Sequence, residues 1–191
     1  MARCIWCGTD PLYVEYHDTE WGVPEHDSRA LWEKLVLDGF QAGLSWITIL
    51  RKREEFRQEF EGFDPEKVAR WDEARIQQAL ENPGIIRHRG KIASTVKGAR
   101  LFLEIEEKQG FAPWLWSFVG GNPIQNRFAS MAEVPASTEI STLMSKALKK
   151  KGFNFCGPVI TYAFMQATGM VNDHMTDCPR HAELSLPSTD G

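Results

Sequence analysis

Apolar residues recur at helical spacing along most of this chain, between residues that typically begin and end helices. Asp27-Ser28 can cap a helix in which Leu31 and Leu35 share one face. Asp64-Pro65 combines a cap with proline at the first helical position. No segment shows the sustained apolar–polar alternation, bounded by hairpin turns, that predicts strands. The pattern therefore predicts an all-α fold.

Further helices are predicted on the same grounds. Ser45 can cap a helix whose apolar positions include Ile49, Phe56 and Phe60. Ser137-Thr138 can begin a helix that ends in a lysine run and Gly152, and Gly157-Pro158 can begin an apolar one. We expect residues 1–181 to form one unit of two helical lobes with the termini packed together. Residues 182–191 are polar and are expected to be a flexible tail.

Length and composition exclude several classes of protein. The 191 residues, 42% of them hydrophobic and 25% charged, suit an ordinary globular protein with one sizeable core. No run approaches the roughly 18 apolar residues of a membrane span, and the first residues do not resemble a signal peptide. A cytoplasmic location is expected, so the four cysteines are read as thiols or metal ligands.

Charge is distributed unevenly along the chain. The net charge of −4 argues weakly against a nucleic-acid partner, and residues 1–39 hold eight acids and three bases. Residues 85–100 and 144–151, however, are basic and contain no acid. Their cations are Arg87, Arg89, Lys91, Lys97, Arg100, Lys146, Lys149, Lys150 and Lys151. These runs are either solvated helix faces or patches that attract a polyanion.

One acid lies in an otherwise uncharged segment, residues 38–46. Asp38 follows an apolar run, and a carboxylate there is costly to bury unless a cation or a hydrogen-bond donor meets it. Aromatic residues are dense just upstream: Trp6, Tyr13, Tyr16, Trp21 and Trp32. The combination suits a pocket for a flat, electron-poor ligand. The alternative is that Asp38 ends a helix while Gly39 and Gly43 mark a turn.

Potential metal ligands lie near both ends of the chain. His174 and Cys178 are four residues apart, so a helix or tight turn would place them on one side. With Cys4 and His17 they form a Cys2His2 set that could close a tetrahedral zinc site and join the two ends. Cys7 could replace His17, since the spacing of Cys4 and Cys7 also suits a metal. Unmetallated cysteines and histidines are the alternative.

Several segments, taken in order, resemble one known family. They are Arg3-Cys4, residues 10–13, residues 16–24, residues 41–48, residues 84–91, residues 116–119, residues 145–149 and residues 171–174. In these segments the chain resembles the bacterial 3-methyladenine DNA glycosylase I family, a branch of the helix-hairpin-helix DNA repair glycosylases. The resemblance implies an all-α fold with a DNA-binding hairpin. It also implies a structural zinc ion held by Cys4, His17, His174 and Cys178.

The resemblance also implies roles for individual residues. The family's hairpin falls on Gly84 to Gly90, where Arg87, Arg89 and Lys91 suit a phosphate. The family's wedge, which fills the gap left by a flipped nucleotide, falls on Gln41, Gly43 and Leu44. The base-contacting residues and the lining of the pocket fall on Tyr16, Asp38, Trp46, Trp6, Tyr13 and Trp21, with Asp38 and Tyr16 in the catalytic role.

The implied activity is hydrolysis of the glycosidic bond of 3-methyladenine in double-stranded alkylated DNA. The family is monofunctional, so no strand cleavage is expected; free 3-methyladenine is the product, and a monomer is expected. The family's usual residue at position 38 is glutamate, and aspartate shortens the arm by about 1.5 Å. Either the backbone moves inward, a water bridges the gap, or the pocket is less active.

Two other functions remain open from the residues alone. One is a non-catalytic protein that binds alkylated bases or DNA structures and has lost turnover through the change at position 38. The other is a zinc-dependent hydrolase using His17, Asp18 and Glu20, which would need an open position on the metal.

Overall fold

The structure is a computed structural model and describes residues 3–185. Within that range it contains eleven α-helices. They are α1 (Pro11–Thr19), α2 (Ser28–Gln41), α3 (Trp46–Leu50), α4 (Arg53–Glu59), α5 (Pro65–Val68), α6 (Glu73–Ala79), α7 (Arg89–Gln109), α8 (Phe111–Trp116), α9 (Glu139–Lys151), α10 (Pro158–Ala167) and α11 (Pro179–Glu183). Short 3-10 turns span Ile5–Cys7, Glu61–Phe63, Ser117–Val119 and Met131–Glu133.

Most predicted helix boundaries are confirmed by their capping contacts. Asp27 Oδ1 accepts a hydrogen bond from the Ala30 amide at 2.8 Å, which fixes the start of α2. Thr138 begins α9 with a reciprocal capping box to Ser141. Gly152 ends that helix at φ 110°, a conformation that glycine adopts without strain.

Two local features differ from the prediction. The segment after Ser45 forms two helices, α3 and α4, instead of one; the Ser45 hydroxyl contacts Thr48 Oγ1 at 2.8 Å and does not cap a backbone amide. A parallel pair of two-residue strands, β1 (Ile124–Gln125) and β2 (Val171–Asn172), also joins distant parts of the chain. Strands of two residues are too short to show alternation. The fold is otherwise helical, as predicted.

The hydrophobic core lies between the long helices and includes residues from both ends of the chain. Helix α10 packs against α9 and α2, and α7 packs against α5, α2 and α6. A single apolar cluster includes both Cys4 and Cys178. Trp32 belongs to it, fully buried beside Phe63 and Phe102, so this ring is part of the core and is separate from the other aromatic residues predicted near Asp38.

The last described helix extends into the predicted tail. Helix α11 extends to Glu183, so the predicted tail of residues 182–191 overlaps a helix at its start, and residues 186–191 lie outside the described residues. Within residues 3–185, no helix is both long and apolar enough to cross a membrane.

Candidate functional site

A pocket of about 180 Å³ opens between α1, α2, α3 and α10. All six residues predicted to contact or enclose a base line it: Trp6, Tyr13, Tyr16, Trp21, Asp38 and Trp46. The remaining lining residues are Lys34, Gln41, Met131, Val134, Ala163, Gln166, Ala167 and Asp173. The structure thus brings together residues that lie far apart in the sequence.

Aromatic rings form one wall of this pocket. The ring centroid of Trp6 lies 5.0 Å from that of Tyr13 and 4.9 Å from that of Trp21, both in edge-on arrangements. Tyr16 and Trp46 lie 5.5 Å apart with a tilt of 43°. Contacts of this kind hold each ring in place.

Asp38 lies at the base of the pocket and is 1% exposed. It is inside α2, which continues to Gln41, so the alternative that Asp38 ends a helix is wrong. Its Oδ1 is in an ion pair with the ammonium of Lys34, one helical turn earlier. Its Oδ2 has no hydrogen-bond partner within residues 3–185, and an unsatisfied buried carboxylate oxygen is a strong acceptor for a ligand N–H group.

Lys34 was not among the predicted site residues. Its Nζ lies 3.7 Å from the ring centroid of Trp46, so the ammonium contacts both Asp38 and the aromatic face. Burial lowers the pKa of Lys34 and raises the pKa of Asp38, while the ion pair opposes both shifts. The i, i+4 spacing of Lys34 and Asp38 within a predicted helix is the signal that could have identified this pair.

A second carboxylate, Asp173, lines the pocket from the side of β2 and is 1% exposed. Its Oδ2 accepts hydrogen bonds from Tyr162 Oη at 2.6 Å and Gln166 Nε2 at 2.8 Å, and its Oδ1 accepts one from Asn126 Nδ2 at 2.7 Å. Because a carboxylate only accepts, Gln166 must direct its amide nitrogen toward Asp173. This orients Gln166 in the pocket wall.

The loop between α2 and α3 lies beside the pocket and carries the predicted wedge. Gln41 lines the pocket, and Gly43 has a φ of 86° with open space around the position of a side chain. Leu44 is 43% exposed. An exposed apolar side chain on a narrow glycine turn has the shape that insertion between base pairs requires.

The predicted hairpin joins α6 to α7, and the structure alters one assignment in it. Arg87 and Arg89 are exposed, although Arg89 pairs with Glu73 of α6. The His88 ring caps α7 by accepting from the Lys91 amide at 3.1 Å. The side chain of Lys91, which was predicted to bind DNA, makes its contacts within the protein. Its side chain is buried, with Nζ donating to Phe40 O and Ala42 O at 2.8 Å each.

The start of α7 has features of an anion site. The amides of Arg89 and Gly90 are in the first helical turn and have no intrahelical acceptor. Such a terminus attracts phosphate. Farther along α7, Lys97 lies beside Gly152, which directly follows the lysine run of α9, so the two basic runs meet on the folded protein.

The four predicted metal ligands form one compact cluster. Cys4, His17, His174 and Cys178 are all buried, and their ligand atoms lie within 4.8 Å of one another. Cys4 Sγ is 3.5 Å from His174 Nδ1, and Cys178 Sγ is 3.6 Å from His17 Nε2. Cys7 is not part of the cluster; its thiol donates to Cys4 O at 3.2 Å. The cluster could hold a metal ion.

The second nitrogen of each histidine is already engaged. His17 Nδ1 lies 2.7 Å from Asp18 Oδ1, and His174 Nε2 lies 3.0 Å from Trp21 O. Both rings therefore direct their other nitrogen toward the sulfur atoms. Burial raises the pKa of Cys4 to about 12 and lowers that of His174 to about 4. Without a cation, this thiol would hold its proton at neutral pH.

Comparisons with known proteins agree with one another. The family model described as methyladenine glycosylase matches residues 6–181. DNA-3-methyladenine glycosylase 1 of Escherichia coli (strain K12) is 50% identical over 179 residues, covering 93% of this chain and 96% of that protein. The crystal structure of a 3-methyladenine DNA glycosylase I is 52% identical, with a TM-score of 0.91, covering 93% of this chain and 98% of the other.

A further solved structure bears on the pocket. It is a variant of a 3-methyladenine DNA glycosylase I in complex with 3-methyladenine, 38% identical to this chain, with a TM-score of 0.90. The match covers 94% of this chain and 97% of the other. Since the family model spans nearly the whole chain and a relative is half identical over nearly its full length, this chain belongs to the methyladenine glycosylase family.

Proposed function

We propose that this protein is a DNA repair N-glycosylase that hydrolyses the glycosidic bond of 3-methyladenine in alkylated DNA. The observation that carries the proposal is the partnerless Oδ2 of Asp38 at the base of an aromatic pocket, within residues 3–185. Relatives of matching length carry this activity in their names, and one related structure holds 3-methyladenine.

The proposed chemistry depends on binding more than on acid or base catalysis. Alkylation at N3 makes the adenine cationic, so the base is already a good leaving group. In the pocket, Tyr16 and Trp46 would stack on the purine, with cation–π attraction of about 0.5–2 kcal/mol per contact. The 6-amino group would donate to Asp38 Oδ2, whereas guanine carries a carbonyl oxygen at that position and cannot donate there. Burial raises the pKa of Tyr16, so its phenol stays neutral.

Base recognition requires that the nucleotide leave the duplex, at a cost of about a few kcal/mol. We propose that Leu44 fills the gap that the flipped base leaves, with Gly43 allowing the backbone to approach. The free amides at the start of α7 and the exposed Arg87 would hold a backbone phosphate. The exposed Arg87 and the helix start at Arg89 support our assignment of residues 84–90 as the hairpin of a helix-hairpin-helix glycosylase.

We also propose that the Cys2His2 cluster binds zinc in a structural role. Zinc bonds to sulfur and nitrogen of about 2.3 and 2.0 Å give a tetrahedral S···N separation of about 3.5 Å. The separations of 3.5 and 3.6 Å between thiols and imidazoles fit that value. Asp18 and the Trp21 carbonyl would orient the two histidines. Four protein ligands leave no position for water, which disfavours a zinc hydrolase.

The fold gives no support to strand cleavage by Lys91. A lyase forms a Schiff base through a neutral, accessible amine. The Nζ of Lys91 is held by two backbone carbonyls and is buried. We therefore propose a monofunctional enzyme that leaves the DNA strand intact.

Release of free 3-methyladenine from methylated duplex DNA tests the proposed function. We expect release by the wild type, and a loss of about 10- to 100-fold in kcat/KM for Asp38→Asn, because one hydrogen bond to a charged acceptor contributes about 1.5–3 kcal/mol. Asp27→Asn is the matched control, since it changes the same residue type in α2 at a cap that asparagine also forms. Binding of methylated DNA without release would favour the non-catalytic alternative.

A further inference from the structure

Two backbone carbonyls at the start of the proposed hairpin face a lysine from another part of the chain. Lys52 Nζ donates to Pro83 O at 3.0 Å and to Gly84 O at 3.1 Å. The backbone of Lys52 is itself fixed between two helices, because its amide donates to Ile49 O and its carbonyl accepts from the Phe56 amide, both at 2.9 Å. The ammonium therefore connects the hairpin to the junction of α3 and α4.

The contact with Lys52 also sets the direction of a peptide group in the hairpin. In a planar trans peptide the carbonyl and the following amide point in opposite directions, and the described chain contains no cis peptide bond. Because Lys52 holds the Gly84 carbonyl, the amide of Ile85 is turned away from the ammonium. In the described part of the chain this amide has no acceptor, and the amides of Ile86 and Arg87 have none. Such donors are free to bind an anion.

Further contacts hold the start of the hairpin against α4. Asn82 Oδ1 accepts a hydrogen bond from the Gly84 amide at 2.7 Å, and Asn82 Nδ2 donates to Glu59 Oε2 at 2.5 Å. A Cβ at position 84 would lie 2.9 Å from Asn82 Oδ1 and 3.1 Å from Glu55 Cβ, so glycine lets the chain pass close to α4. The position of the hairpin therefore follows that of α4.

The end of the hairpin is connected to the fold in the reverse direction. Lys91, in the first turn of α7, donates to Phe40 O and Ala42 O at the end of α2. Those carbonyls directly precede the loop that carries Leu44, whereas Lys52 follows it. Two lysines thus hold the hairpin and the loop between α2 and α3 in a fixed relation, one at each end of the hairpin.

We propose that Lys52 is a positioning residue, which fixes the hairpin of residues 84–90 relative to the loop between α2 and α3. The hairpin amides then meet a backbone phosphate while Leu44 occupies the gap left by the flipped nucleotide. The inference rests on the proposed function, because it concerns the DNA contacts of that function. The Lys52 ammonium donates to Pro83 and Gly84, so it acts through the backbone of the hairpin and not by contact with the phosphate.

Lys52→Met tests the inference, since it removes both hydrogen bonds and keeps a side chain of similar length. The probe is duplex DNA with an abasic-site analogue, for which we expect affinity to fall by about 5- to 30-fold. The Kd of free 3-methyladenine should stay within about twofold of wild type, because Lys52 does not line the pocket. Lys52→Arg retains charged donors and should keep duplex affinity within about threefold.

Lys108→Met is the matched control for the loss of one positive charge. Lys108 is exposed at the far end of α7, about 30 Å from Arg89, and we expect its replacement to leave duplex affinity within about twofold of wild type.

A double-mutant cycle with Arg87→Gln separates positioning from an independent contact with DNA. If Lys52 positions the hairpin, Arg87→Gln should weaken duplex binding by a factor about threefold smaller in the Lys52→Met protein than in the wild type. The reason is that a displaced hairpin no longer presents Arg87 to its phosphate. If Lys52 instead touched a phosphate of its own, the two effects would multiply.

Three results would overturn the inference: wild-type duplex affinity in Lys52→Met, effects that multiply in the cycle, or an equal loss of affinity for the free base. If Lys52→Met does not fold, Lys52→Gln takes its place with the same outcomes, and failure of both to fold would assign Lys52 to stability alone. If the wild type binds the duplex but releases no 3-methyladenine, the proposed function fails, while the same affinities still decide the role of Lys52.

Discussion

Replacement of Lys91 by methionine tests whether the Lys91 side chain binds DNA or stabilises the fold. The Lys91 ammonium donates to Phe40 O and Ala42 O, the carbonyls at the end of α2. These carbonyls directly precede the loop with Gly43 and Leu44 and follow Asp38 by a few residues. We expect Lys91→Met to destabilise the protein and to disturb this loop, with no direct loss of a phosphate contact.

The size of the effect follows from the two hydrogen bonds. Each bond from a charged donor contributes about 1.5–3 kcal/mol. Burial lowers the pKa of Lys91, which shows that the ammonium is partly desolvated, and methionine removes that cost. Phe40 is 1% exposed, so its carbonyl would lose a partner where water cannot readily replace it. We expect a net loss of about 2–4 kcal/mol, or a fall in Tm of about 5–15 °C for a chain of this length.

Thermal unfolding and the salt dependence of DNA binding together form the assay. For Lys91→Met we expect the lower Tm and an unchanged slope of log K against log salt concentration. The control is Arg87→Gln, an exposed cation of the same hairpin, for which we expect an unchanged Tm and a slope reduced by about one. A Lys91→Met protein of wild-type stability with a reduced salt slope would refute the reasoning.

Three further outcomes follow from the site. Cys178→Ser should lower the bound zinc, measured by elemental analysis, and the Tm, whereas Cys7→Ser should keep one zinc per chain because its thiol lies outside the cluster. Borohydride treatment with DNA containing an abasic site should give no covalent adduct, since Lys91 is engaged; an adduct would argue for a lyase. Trp46→Ala should weaken 3-methyladenine binding about 2- to 10-fold through lost aromatic stacking, while Trp114→Ala, outside the pocket, should not.

Local signals explain which parts of the fold could be predicted. Caps such as Asp27 and Thr138 act through contacts within a few residues, so they can be read directly from the sequence. The parallel pairing of Ile124 with Val171 depends on segments almost fifty residues apart and leaves no local pattern. Its prediction would have required the tertiary fold.

The site shows the same division between local and distant information. The aromatic residues and Asp38 could be assigned because the resemblance placed them in order along the chain. Lys91 was assigned to DNA because its residue type suits a phosphate, and only the approach of α2 to α7 reveals the carbonyls that accept hydrogen bonds from it. Lys34 was missed because lysine on a helix is most often solvated, although its spacing to Asp38 was visible.

The metal cluster and the pocket depend on the same short segment of chain. Tyr16 and His17 are adjacent in α1. Tyr16 lines the pocket, whereas His17 belongs to the metal cluster. Trp21 connects them again, because its ring lines the pocket and its carbonyl contacts His174. A metal at the cluster would therefore hold α1 and Trp21 against the C-terminal segment. A bound ion would therefore also influence ligand binding, because it would fix the positions of Tyr16 and Trp21 in the aromatic wall of the pocket.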